Sequence, residues 1–118
     1  MSYQHAQVKQ LFTGAIGITP VEIYTVPADQ QAIVGSFIVH VNPDAGATVT
    51  FELWLVKVGD AGVDDSNRVM RRVRTVDTDV ELISKPWVLE EGQSLYAKSS
   101  IEGGATLVVS GSTVVNVV

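Results

Sequence analysis

Two histidines, His5 and His40, are the only imidazoles in this chain of 118 residues, and no cysteine accompanies them. Acyl-transfer chemistry of the serine type needs a histidine base held by an acid beside the nucleophile. Neither histidine has such a setting in the sequence: His5 lies in a polar opening segment, and His40 sits among Ile38, Val39 and Val41. The Gly-x-Ser-x-Gly turn that would present a serine is missing as well. No His-x-His or His-x-x-x-His pair exists, so the chain lacks the usual zinc spacing.

The carboxylates give no better constellation. Asp60, Asp64 and Asp65 share a loop with Gly59 and Gly62, but their spacing departs from the alternating ligands and closing glutamate of a calcium loop. They read as a solvated acidic loop. Glu90 and Glu91 are sequence neighbours at a turn and point apart, so they cannot flank a glycosidic bond as acid and base. The expectation is a protein that is not an enzyme and carries no cofactor or metal.

Two features remain that could bind. The segment Arg68-Val69-Met70-Arg71-Arg72-Val73-Arg74 holds four of the eight basic residues. On a regular strand, Arg68, Arg72 and Arg74 share one face while Arg71 lies on the other. The strip reads either as a solvated face pairing with cross-strand acids such as Glu52 or as a docking strip for an acidic partner, since arginine forks suit carboxylates. The second feature is aromatic: Trp54, Trp87, Tyr3, Tyr24 and Tyr96 could form a sugar platform, core anchors or interface hot spots. The candidate docking residues are therefore Arg68, Arg71, Arg72, Arg74, Trp54 and Trp87.

The elements that must position these residues follow a period of two. Val49, Phe51, Leu53 and Leu55 face one way and Thr48, Thr50, Glu52 and Trp54 the other, an alternation that fits a half-buried strand and no helix. Further strands are predicted over 21–26, 31–41, 47–58, 67–76, 80–84, 94–99 and 105–118. Pro27, Asn42-Pro43-Asp44-Ala45-Gly46, Asp77-Thr78-Asp79, Glu90-Glu91-Gly92-Gln93 and Glu102-Gly103-Gly104 punctuate them. Gly35 marks a bulge or close approach, and Gly111 a bend in the last strand. The fold class is all-β: one antiparallel β-sandwich of about eight strands, jelly-roll-like. Residues 1–20 read as an N-terminal arm (or short edge strand) with a connection, and 21–118 as the sandwich.

Composition narrows the partners. A net charge of -5 opposes a general grip on nucleic acid, and the arginine cluster has no interleaved aromatics to stack bases. No stretch approaches the ~20 apolar residues that span a bilayer, so no membrane partner is expected. Met1-Ser2-Tyr3-Gln4-His5 lacks the start of a signal peptide, which predicts assembly in the cytoplasm where the chain is made. The valine-rich Val114-Val115-Asn116-Val117-Val118 must be covered or paired, because an uncovered apolar edge invites association.

Three segments carry a resemblance. Tyr24-Thr25-Val26-Pro27-Ala28 followed by Gln31-Ala32-Ile33-Val34 resembles the opening of small β-sandwich structural proteins of tailed bacteriophages. Leu53-Trp54-Leu55-Val56, Gly59 to Gly62 and Ser66-Asn67-Arg68-Val69 are similar to their central strand, glycine loop and return. Val88-Leu89-Glu90-Glu91-Gly92-Gln93-Ser94-Leu95-Tyr96-Ala97 is similar to their turn and following strand. The matches reach from about Tyr24 to Ser110. The resemblance implies a non-enzymatic virion protein, foremost a capsid decoration (cement) protein bridging capsid subunits. A tail, neck or fibre component is the alternative, and a host-surface or carbohydrate-binding adhesin comes third. It implies the major capsid protein or other virion proteins as partners, a homo-oligomer such as a trimer, and location in the virion. It assigns no functional residue.

Overall fold

The computed structural model describes residues 3–41, 49–74, 81–83 and 87–117. Nine strands cover most of them: β1 (Tyr3–Ile16), β2 (Val21–Thr25), β3 (Gln30–Val41), β4 (Val49–Val56), β5 (Arg68–Arg74), β6 (Glu81–Ile83), β7 (Trp87–Leu89), β8 (Ser94–Ser99) and β9 (Ala105–Val117). All pairings are antiparallel. Sheet A runs β1-β9-β3-β6, with β7 also on β3, and sheet B runs β2-β8-β4-β5.

β6 pairs with Phe37–Val39 and β7 with Ala32–Val34, so the two are pieces of one interrupted edge strand. Pro86 lies between them in the sequence and has no N–H to give a ladder. Counted as one strand, they make eight, and the two sheets then have the connectivity of a jelly roll with its two Greek keys. The predicted fold class is the one observed.

Alternation decides the core. Val49, Phe51 and Leu53 of β4, Leu95 and Ala97 of β8, and Leu107 and Val109 of β9 are at most 2 % exposed and pack together between the sheets. Burying each such side chain contributes about 1.5–3 kcal/mol, alanines less. At one end, polar contacts fasten the crossing from sheet A to sheet B. The Ser99 amide donates to the Gly17 carbonyl at 2.8 Å, and the Ile18 amide donates to Glu102 Oε2 at 3.0 Å. At the other, the Gly92 amide donates to the Val26 carbonyl and the Val26 amide to the Gln93 carbonyl, both at 3.0 Å.

Two readings change. The opening residues are neither free nor short: β1 is a 14-residue edge strand laddered to β9 from Tyr3↔Val117 to Ile16↔Ala105. Its polar composition fits an edge, which one neighbour covers on one side only. The arginine segment is not a regular strand either. Leu53 pairs with Met70 but Trp54 pairs with Arg68, leaving Val69 as the extra residue of a bulge. That extra residue shifts the phase, so Arg68 shares a face with Arg71, which a regular strand would have separated from it. The turns read at 42–46 and 77–79 lie outside the described residues.

Candidate assembly surfaces

The outer face of sheet B gathers the charges. Glu52 stands between Arg71 and Lys98 in register, and Trp54 between Arg68 and Tyr96. The Glu52 carboxylate is only 12 % exposed and meets three cations: Arg68 Nη1 donates to Oε1 at 3.3 Å, Arg71 Nε lies 3.5 Å from the same oxygen, and Lys98 Nζ lies 3.9 Å from Oε2. Arg68 also reaches Asp65 Oδ1 at 3.3 Å. The described part of the arginine strip is therefore tied to a cross-strand acid, as the bland reading of the sequence anticipated. Arg72 and Arg74 stand in register with Phe51 and Val49.

Trp54 and Trp87 do not form a platform. Trp54 follows the core residue Leu53, so it stands on the outer face of sheet B, yet it is only 5 % exposed. Its cross-strand partners Arg68 and Tyr96 are amphipathic, with apolar bodies suited to covering a ring. Trp87, on β7, is half-buried against the core. Tyr24 also packs there, its hydroxyl buried, and burial pushes the phenol pKa up. These rings lie on different elements and different faces. A carbohydrate adhesin needs them exposed on one concave face.

Two depressions flank the Val69 bulge. One, of about 400 Å³, is apolar and lined by Leu55, Val69, Trp87, Val88 and Leu89. The other, of about 390 Å³, adds Lys57, Asp60, Ser66, Asn67 and Arg68 to Leu55 and Val69. His40 lines neither of them, and it lies on sheet A in register with Thr106.

The acidic loop beside the second depression is built from its own side chains. Asp64 Oδ1 accepts from the Ser66 amide at 2.8 Å, from the Ser66 hydroxyl and from the Asn67 amide at 3.3 Å. Asn67 Oδ1 in turn accepts from the Asp64 amide at 3.0 Å, and Asp60 Oδ2 accepts from the Lys57 amide at 2.8 Å. These carboxylates shape turns. The Ser66 hydroxyl and amide hold the Asp64 carboxyl below its usual value. The stabilisation this gives is present above the unfolded pKa and is lost as pH falls through the lower, folded one. Asp64→Ala is accordingly expected to speed amide exchange at Ser66 and Asn67 on the order of tenfold while leaving the core amides protected. Unchanged exchange at those two amides would show that the carboxylate does not hold the loop.

The outer face of sheet A is the opposite of sheet B in chemistry. Core residues alternate along β9 and β3, so Thr106, Val108, Ser110, Ser112 and Val114 turn outward from β9. Gln31, Ile33, Ser36, Ile38 and His40 do so from β3, where the bulge at Gly35 resets the phase. Gln10, Thr13 and Ala15 of β1 extend the face, and Val88 of β7, 57 % exposed, stands beside Ile33. None of these strand residues is Asp, Glu, Lys or Arg, but Glu90, just past β7, stands at the edge of the face, where its Oε2 accepts from Gln31 Nε2 at 2.7 Å. In the middle, Gly35, Ser36, Ser110, Gly111 and Ser112 line a shallow notch of about 230 Å³. Sequence reading missed this face because each strand shows only single apolar positions between small polar ones.

No protein-family model and no curated protein matches the chain. Among solved structures it is similar to a chain of the structure of infectious bursal disease virus Gx strain, at 14% identity and a TM-score of 0.33. The likeness covers 99% of this chain but 32% of that one, so this chain spans about a third of its length.

Proposed function

We propose that this chain is a non-enzymatic structural protein of a tailed-bacteriophage virion, a capsid decoration protein that bridges neighbouring shell subunits. The observation that carries the reading is the outer face of sheet A, where the described residues of β3 and β9 are uncharged and Glu90 stands at the edge. A solvated antiparallel sheet turns polar and charged residues outward. Here sheet B turns charged residues outward, while the described strands of sheet A turn out small polar residues with Val and Ile between them, a face suited to burial against protein. The fold adds support, since jelly rolls are a recurrent architecture of viral shells. The segments that resemble phage proteins fall on the β2–β3 turn, the β4–β5 loop and the β7–β8 turn, all of them scaffold.

In such a role each contact can be weak. Burial of apolar area contributes about 25 cal/mol per Å² before association costs, and repetition over many shell sites supplies the rest as avidity. The test is co-sedimentation of the purified chain with undecorated capsids of the virus that encodes it. Saturable, stoichiometric binding that raises the temperature at which capsids open is expected. Binding to tails or fibres alone would move the protein to a tail, neck or fibre position. Binding to no virion component would overturn the proposal.

A further inference from the structure

We infer that two copies of this chain join edge to edge through β1, their Tyr3–Gln10 stretches pairing antiparallel about a two-fold axis perpendicular to sheet A. The inference stands on the sheet edges and goes beyond the virion reading by naming the part of the chain that meets a second copy.

The four edges of the sandwich differ. A bare edge strand offers unpaired N–H and C=O groups to any other chain, and proteins blunt such edges with short strands, proline, charge or bulges. β2 has five residues, a bulge at Ile23, and Pro20 and Pro27 on either side. β5 has the Val69 bulge and four arginines. β6 and β7 have three residues each, with Pro86 between them. β1 has 14 residues, no proline, no carboxylate and a single lysine, Lys9. Its own irregularity lies between Gln10 and Phe12, which leaves Tyr3–Gln10 matched one to one with Ser110–Val117 of β9. Among the described residues, no strand pairs with the other side of β1.

A second copy fits that edge. It brings an edge of the same length, equally unblunted. Antiparallel pairing relates two identical strands by a two-fold axis through one residue and its own copy, so the contact is isologous and closes at two. The trimer implied by the resemblance needs a contact between two different patches instead. With the axis at Ala6, Tyr3 pairs with Lys9, Gln4 with Val8 and His5 with Gln7. The two Lys9 positions then lie about 20 Å apart along the strands, beyond the Debye length of about 10 Å at 0.1 M salt. The same axis keeps the outer faces of both sheet A copies on one side, as parts of one continuous sheet. The face proposed to meet the shell is thereby doubled in breadth and left uncovered.

The experiment is sedimentation equilibrium of the full chain over a concentration series, with Ala6→Lys and Ala6→Glu each alone and mixed. The wild-type mass is expected to rise from 12.6 kDa towards twice that value. Like charges set directly across an antiparallel pair repel and opposite charges attract. Each variant alone should therefore pair about fivefold more weakly than the wild type, and the equimolar mixture about tenfold more tightly than either. Hydrogen exchange on the wild type needs no substitution. Every second amide of Tyr3–Gln10, those directed away from β9, should slow as concentration rises. A wild type of 12.6 kDa at every concentration overturns the inference. It does so even where those amides slow on capsids, since another protein's strand then covers them. A dimer whose β1 amides exchange as in the monomer overturns it as well, as does a mixture of folded variants no tighter than its parts. Capsid binding by a monomer would leave the virion reading standing, and a β1-paired dimer that binds no virion component would remove that reading alone.

Discussion

Gly111→Ala is expected to cost about 3 kcal/mol or more, while Gly35→Ala, in the same notch, is tolerated. A methyl group on Gly111 would overlap the carbonyl oxygen of Ile33 and lie 3.1 Å from the Cα of Val34. Both obstacles are backbone of the adjacent strand β3, which cannot swing aside as a side chain would. Relief requires β3 and β9 to separate where Val34 pairs with Gly111. Overpacking of that sort costs about 1–3 kcal/mol when side chains can adjust and more when a ladder must open. Total stability of a domain is only about 5–15 kcal/mol, so the variant should lose a large share of it. Gly35 meets nothing within 4 Å, and its backbone is not among the positive-φ glycines. Alanine there restricts the unfolded chain and should leave stability within about 1 kcal/mol, with a gain the natural direction. Urea midpoints of the two variants measure the contrast. Equal midpoints would mean that the tight approach of β9 to β3 is not what fixes the centre of sheet A.

The contrast also shows where sequence reading stops. Gly35 and Gly111 were both legible as interruptions, because glycine in a strand has few other uses. Which of them faces a neighbouring backbone depends on β9 lying beside β3, a pairing between residues some seventy to eighty positions apart. No local pattern encodes it. The strand β4 was legible, though read two residues too far at its C-terminal end, because both faces of a central strand are specified, one by Phe51 and Leu53 and the other by Glu52 and Trp54. β1 was not, since an edge strand needs only one ladder and tolerates polar residues freely. Val69 is the sharpest case. Nothing about its type marks a bulge, yet that one residue decides which arginines share a face, and a strict period of two gives the wrong pair. The outer face of sheet A needed the same long-range pairings before its scattered small residues became one surface.

Glu52→Gln is expected to lose about 1–2 kcal/mol at low ionic strength and to recover much of it as salt rises. The wild-type carboxylate sits 12 % exposed among Arg68, Arg71 and Lys98, with side chains 32 %, 57 % and 34 % exposed. Taken singly, such partly exposed pairs are worth little, about 0–1 kcal/mol each. Their common acceptor changes the sum, because removing its charge also leaves Arg68 and Arg71 of β5 facing Lys98 of β8 across β4 with no carboxylate between them. Glutamine keeps the shape and can still accept one hydrogen bond, so the loss reports charge rather than packing. Salt screens the remaining repulsion over a Debye length of about 3 Å at 1 M, against about 30 Å at 0.01 M. Urea, being uncharged, allows the comparison at both extremes. Adding Arg71→Ser to Glu52→Gln should then restore stability at low salt, since it removes one of the repelling charges; a further loss would place the role of Arg71 in packing instead. The same pair of variants bears on docking. Were the arginine strip the surface that holds an acidic partner, freeing Arg68 and Arg71 from Glu52 should tighten capsid binding at low salt. Capsid binding unchanged by Glu52→Gln but lost in Ser112→Lys would locate the contact on sheet A, and leave the arginines as the internal counter-charges that keep a glutamate on the outer face of a central strand.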